Sequence, residues 1–193
     1  MELFKKIRLR IGKDILLKKV IRIKRDVYSS NFSEINSIGI VWDASRPAEL
    51  GILTGFYHRM MEMKIDVKIF GFYPGKILPD QYVAIRYFTC LKRDEVSFFY
   101  HPVSSEAAEF INIPFDILID INFEKHFPLS YVTILSNARF KVGLFDQKST
   151  DTPFDLMMEI NKPVDIENYL VQIIHYLKMV KNETVNTIDA NLN

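Results

Sequence analysis

Apolar positions along the chain change period several times, and those changes mark its elements. Residues 37–42 (SIGIVW) form a short unbroken apolar run, which predicts a strand. Over 48–63 the apolar residues Leu50, Leu53, Tyr57, Met60 and Met61 recur at helical spacing. Residues 66–72 (DVKIFGF) predict a second strand, closed by the turn pair Pro74-Gly75. The stretch 114–145 repeats the scheme. Residues 115–121 predict a strand with Phe115, Ile117, Ile119 and Ile121 on one face and Asp116, Leu118 and Asp120 on the other. A helix from Pro128 to about residue 137 follows, then a strand over 141–145. Strands alternating with helices are the unit of a parallel sheet.

Other segments read less directly. Residues 82–90 and 95–101 suit two short strands about the polar turn 92–95, while 82–88 equally suits a helix. Ser104 or Ser105 is placed to cap a short helix through Phe110. Residues 154–160 (FDLMMEI) alternate, and an antiparallel edge strand is expected there. Asp165 caps a last helix whose buried stripe is Ile166, Leu170, Ile173, Leu177 and Val180. Residues 2–25 read as one helix, with Phe4, Ile7, Ile11 and Ile15 on a stripe that Lys18 and Arg22 interrupt; a bend at Gly12 or packing on two surfaces would account for it. The expected organisation is a basic helix and linker over 1–33, an α/β domain over 34–181 and a polar tail over 182–193. The fold class is α/β, three-layered, with a mainly parallel sheet flanked by helices in the doubly wound manner of Rossmann- or flavodoxin-like proteins.

Composition adds two constraints. A chain of 193 residues that is 48% hydrophobic and 13% aromatic is globular rather than disordered. Its single cysteine, Cys90, excludes an intrachain disulfide and suits a reducing compartment. No apolar leader and no run long enough to span a bilayer is read, so a cytoplasmic protein is expected. The net charge of +1 hides an asymmetry, because residues 1–26 hold ten Lys/Arg against Glu2, Asp14 and Asp26. That segment either packs on the domain or meets an anionic surface, lipid or nucleic acid. Phe4 is its only aromatic residue, which serves base stacking poorly.

Candidate chemistry follows from the fold class. In open parallel sheets ligands bind beyond the carboxyl ends of the strands. Four loops qualify: 43–47, 73–76, 120–122 and 146–148. In the first, Ser45 and Arg46 before a helix suit a phosphate or carboxylate, and Asp43 a base or a metal-bound water. The plainer reading is that Asp43 or Ser45 caps the helix, Pro47 starts it and Arg46 lies in water. Lys76 and Asp146 stand in two further loops. Asp120 and Asn122 end a buried strand, where a carboxylate suits a ribose hydroxyl or Mg²⁺, or simply satisfies loop N–H groups. No Walker loop, dinucleotide fingerprint, zinc spacing or nucleophile elbow is present, and no metal or cofactor is assigned. Cys90 is expected to be an inert core thiol.

The stretch 114–145, with FDILIDIN, FPLSYV and ARFKVG, resembles an uncharacterised family of small bacterial α/β proteins, a domain of unknown function. The likeness extends to the basic N-terminal helix and to 169–177 (YLVQIIHYL). It is a likeness of hydrophobic framework; it implies a bacterial cytoplasmic protein and the same fold, and transfers no functional residue. The expectation is a non-catalytic binding or interaction protein, with a homo-oligomer open. The alternative is an enzyme or sensor for a phosphate- or carboxylate-bearing small molecule at the C-terminal edge of the sheet.

Overall fold

Six strands pair in parallel in the order β3-β2-β1-β4-β5-β6. They are β1 (Ser37–Asp43), β2 (Asp66–Tyr73), β3 (Phe88–Lys92), β4 (Ile117–Ile121), β5 (Phe140–Leu144) and β6 (Leu156–Met158). The computed structural model describes residues 2–21, 25, 27–28, 32–83, 85–146, 152–160 and 165–179. This is the Rossmann-like strand order, with its reversal between β1 and β4. The central strands are buried on both faces, which is why their sequences run nearly unbroken in apolar residues.

Helices cover both faces. On one, α2 (Leu50–Glu62) sets Leu53, Phe56 and Met60 against Ile38, Ile40 and Trp42 of β1 and Ile117 and Ile119 of β4. The same core takes Tyr169, Leu170 and Ile173 of α5 (Ile166–Met179). On the other face, α3 (Ser105–Asn112) and α4 (Phe127–Leu135) pack Phe110, Leu129 and Val132 on Val41, Phe70 and Leu118. The expected three layers are present. Ser104 caps α3 through Ala107 N, and the Asp165 carboxylate accepts from Glu167 N at the start of α5.

A further helix, α1 (Glu2–Val20), lies outside α4 and makes a partial fourth layer. It explains why α4 is apolar nearly all round: its outer residues Tyr131 and Leu135 meet Leu16. The helix runs through Gly12 without interruption. Gly12 is a contact point with the domain, since a Cβ there would lie 2.4 Å from Phe99 O. The buried face carries Gly12 and Leu16, and Phe4, Ile7 and Ile11 of the expected stripe are exposed. The last residues of the expected helix, 22–24, lie outside the described residues, as do part of the linker, Val180 and the tail 182–193.

Three other expectations change. β6 is parallel to β5, with Val142, Gly143 and Leu144 beside Leu156, Met157 and Met158. Phe115 precedes β4 and joins the α3/α4 side, opposite Ile117, because regular alternation begins only at Ile117. Residues 82–101 hold one strand, β3, between short 3-10 turns, and the expected second strand reduces to a single antiparallel bridge between Val96 and Pro102.

Candidate functional site

The reversal between β1 and β4 is where a doubly wound sheet opens a crevice. Here side chains fill it. Asp43 ends β1 buried, and its Oδ1 accepts from Ser45 N at 3.1 Å in an Asx turn. Its Oδ2 lies 3.3 Å from His126 Nε2 and 4.0 Å from Arg46 Nε. Arg46 also meets Glu49 at 3.5 Å and Glu124 at 2.5 Å, and Glu49 accepts from Trp42 Nε1 at 2.9 Å. The space enclosed by Asp43, Arg46, Glu49 and Glu124 holds no water-sized void.

This corrects the plain reading of the first loop on two points. Neither Asp43 nor Ser45 caps α2, since Pro47 opens a 3-10 turn (Pro47–Glu49) and Glu49 stands at the helix start without a side-chain cap. Arg46 is paired within the protein rather than spread in water. Ser45 is exposed, and Lys76 is exposed on the loop after β2; neither side chain lines this space.

The open space lies one strand over, beyond β4 and β5. A cavity of about 180 Å³ sits there between α4 and the segment leading into β6. Its buried end carries Asp120 and Thr133, its walls Ile134, Leu144, Phe154 and Met157, and its mouth Lys125 and Asp146. It brings together Asp120, Asn122 and Asp146 of the sequence candidates. Gln147 and Lys148 of the fourth loop lie outside the described residues.

Local geometry fixes each polar group. Asp120 stands near the end of β4 on the side that meets α4; its Oδ1 accepts from Asn122 N at 2.7 Å and its Oδ2 from Thr133 Oγ1 at 2.5 Å. Burial pushes this carboxyl up to about 6, and the two hydrogen bonds pull in the opposite direction. Asn122 latches the first turn of α4: its Oδ1 accepts from His126 N at 2.8 Å, and its Nδ2 donates to His126 O at 3.2 Å and to Ser130 Oγ at 3.3 Å. Lys125 turns the chain with a φ of 56°, and its ammonium pairs with Asp146 across the mouth.

Tyr169 of α5 packs edge-on at 5.2 Å to Phe123, which lines the cavity. Its hydroxyl is buried without a hydrogen-bond partner. Burial, and then the charge of Asp120, pushes that phenol up. Cys90 is half-buried against the core, and burial first and Glu95 second push its thiol up to about 12. Among the described residues no three His, Cys, Asp or Glu side chains are grouped to hold a metal ion.

Ser130, Thr133, Lys125 and Phe154 were not foreseen. Ser130 and Thr133 carry a readable signal, two hydroxyls three residues apart in an otherwise apolar helix. Phe154 carries none, because its place depends on a crossover that alternation does not encode.

None of the curated proteins compared with the chain matches it. One family pattern does match, over residues 8–180, and it covers β1 to β6 and the cavity between them. The chain therefore belongs to that family, a family of unknown function (DUF6913).

Proposed function

We propose that this is a non-catalytic binding protein whose ligand occupies the cavity beyond β4 and β5. The observation that carries the reading is the pairing of an apolar cavity with one buried carboxyl, Asp120, at its inner end. An apolar cavity of about 150 Å³ accepts benzene, so the occupant is on the scale of a single ring. An amine or hydroxyl on that ring would find a lone pair on Asp120. Among the described residues that line the cavity, Asp120 accepts from Asn122 N and Thr133 Oγ1, and no His or Cys stands with it, which supports binding over turnover.

The second reading is an enzyme or sensor for a phosphate- or carboxylate-bearing molecule. It has one supporting observation, the Lys125 ammonium at the mouth, and weaker support at Arg46, whose guanidinium is already shared among Asp43, Glu49 and Glu124. We further infer a bacterial, cytoplasmic setting, which the lone, poorly ionising cysteine suits. Among the described residues no helix is long and apolar enough to cross a membrane.

A thermal-melt panel tests the binding reading. It would compare small cyclic amines and alcohols with nucleotides, phosphosugars and small carboxylates, on the wild type and on Ile134→Trp, which fills the cavity. A ligand at 100 times its Kd adds about 2.7 kcal/mol, or a rise of roughly 5–10 °C at this size. A rise with amines or alcohols that Ile134→Trp abolishes is the expected result. A rise only with anions, or one that survives Ile134→Trp, would sink it.

A further inference from the structure

We propose that the outer face of α1 is an interfacial docking surface for a bilayer that carries anionic lipid. The proposal is independent of the cavity and rests on how α1 is seated.

Gly12 and Leu16 hold the helix against the domain. Gly12 O lies 3.0 Å from His101 Nε2, and Leu16 packs with Tyr131 and Leu135. Arg8 adds a hydrogen bond from Nε to Phe98 O at 2.7 Å, with its guanidinium 4.0 Å from the Phe98 ring. These contacts fix the rotation of the helix about its axis. The side turned away from Gly12 and Leu16 then presents Leu3, Phe4, Ile7 and Ile11, which are 72%, 58%, 48% and 38% exposed. Phe98, 55% exposed, extends this patch through an edge contact with Phe4 at 6.0 Å.

Charge selects the occupant. Lys5, Lys6, Arg8, Arg10, Lys13, Lys18 and Lys19 stand on α1 against only Glu2 and Asp14. Lys6, Arg10 and Lys13 are exposed along one flank of the apolar stripe, and Arg8 stands on the other. An aliphatic stripe with cations on both flanks suits the boundary between acyl chains and phosphate headgroups. A second copy of the chain would bring two positive helices together. A nucleic acid would use the cations and leave the stripe in water. The stripe spans the first three turns; Asp14 and Lys18 end it.

Cosedimentation of the full chain with vesicles tests this. Wild type should pellet with phosphatidylcholine vesicles holding about a third phosphatidylglycerol, and not with phosphatidylcholine alone. Lys6→Gln and Arg10→Gln should each weaken binding roughly fivefold, matching about 1 kcal/mol per cation near the surface. Leu3→Asn with Ile7→Asn should weaken it more than tenfold at an unchanged melting temperature, because both residues are exposed. Failure of the wild type to bind the anionic vesicles overturns the proposal. So does binding that the Leu3 and Ile7 changes leave intact. RNA binding in place of vesicle binding, lost with Lys6→Gln and Arg10→Gln but not with Leu3→Asn and Ile7→Asn, would assign the helix to nucleic acid instead. A dimer in light scattering that Ile7→Asn dissolves would assign the stripe to a second copy.

Discussion

The ring of Phe154 occupies the space that a side chain on Gly143 would need. A Cβ at Gly143 would fall 2.3 Å from Phe154 Cζ and 2.4 Å from both neighbouring ring carbons. The absence of a side chain at one position of β5 therefore lets the segment before β6 fold back and wall the cavity. Gly143→Ala should cost about 1–3 kcal/mol, the usual range for overfilling a packed site. In a Phe154→Ala background the same change should cost almost nothing. Melting curves of the two single variants and the double variant check the coupling.

Asp120 gives stability a defined pH dependence. Its folded value of about 6 lies above the ordinary carboxyl value, so the folded chain holds a proton that the unfolded chain has released. Its contribution is fully present below about pH 4 and is lost as pH rises to about 6, at up to about 1.4 kcal/mol per unit. Asp120→Asn should flatten that part of the stability curve. Denaturant midpoints for both proteins between pH 4 and 7 provide the measurement.

Lys141 works in the opposite sense. It is buried in β5, donates to Ile134 O at 3.0 Å, and burial, followed by Arg25, lowers its ammonium to about 7. Between about 7 and the ordinary lysine value the unfolded chain holds the extra proton, so stability rises with pH across that window. Lys141→Met should remove the rise and melt higher than wild type at pH 6, with the advantage shrinking by pH 9. Equal melting shifts at both pH values would contradict this.

Two helical glycines should respond to alanine with opposite signs. In α2 a Cβ at Gly55 meets only Arg59 at 3.8 Å, so Gly55→Ala should stabilise by about 0.5–1 kcal/mol. At Gly12 the same propensity gain is opposed by the backbone carbonyl of Phe99. Gly12→Ala should therefore destabilise by about 1–3 kcal/mol. Chemical denaturation of the pair separates propensity from fit.

Much of the fold was legible because parallel strands buried on both faces write themselves as apolar runs. Ile38 to Trp42 and Ile117 to Ile121 are such runs, and the helices between them keep a helical period. Strand direction was not legible at Leu156–Met158, since alternation is the same in either direction. The candidate site was half legible. Asp120, Asn122 and Asp146 stand at strand ends and were found by that rule. The pairing of Arg46 with Glu124, 78 residues away, depends on β1 and β4 being neighbours, which no local pattern states. The stripe of Phe4, Ile7 and Ile11 on α1 was legible, but its outward orientation was not, because Gly12 is a docking point only once Phe99 lies beneath it.

The seating of α1 also sets a schedule for the growing chain. Its partners His101 and Tyr131 follow their contacts on the helix by 89 and 112 residues. At about 5–20 residues per second, a ribosome needs roughly 5–20 s to deliver them. For that interval the helix has no domain to rest on and both of its apolar sides face outward. A synthesis pause before Tyr131 would lengthen the interval, and a bilayer or chaperone nearby would meet the helix before the fold does.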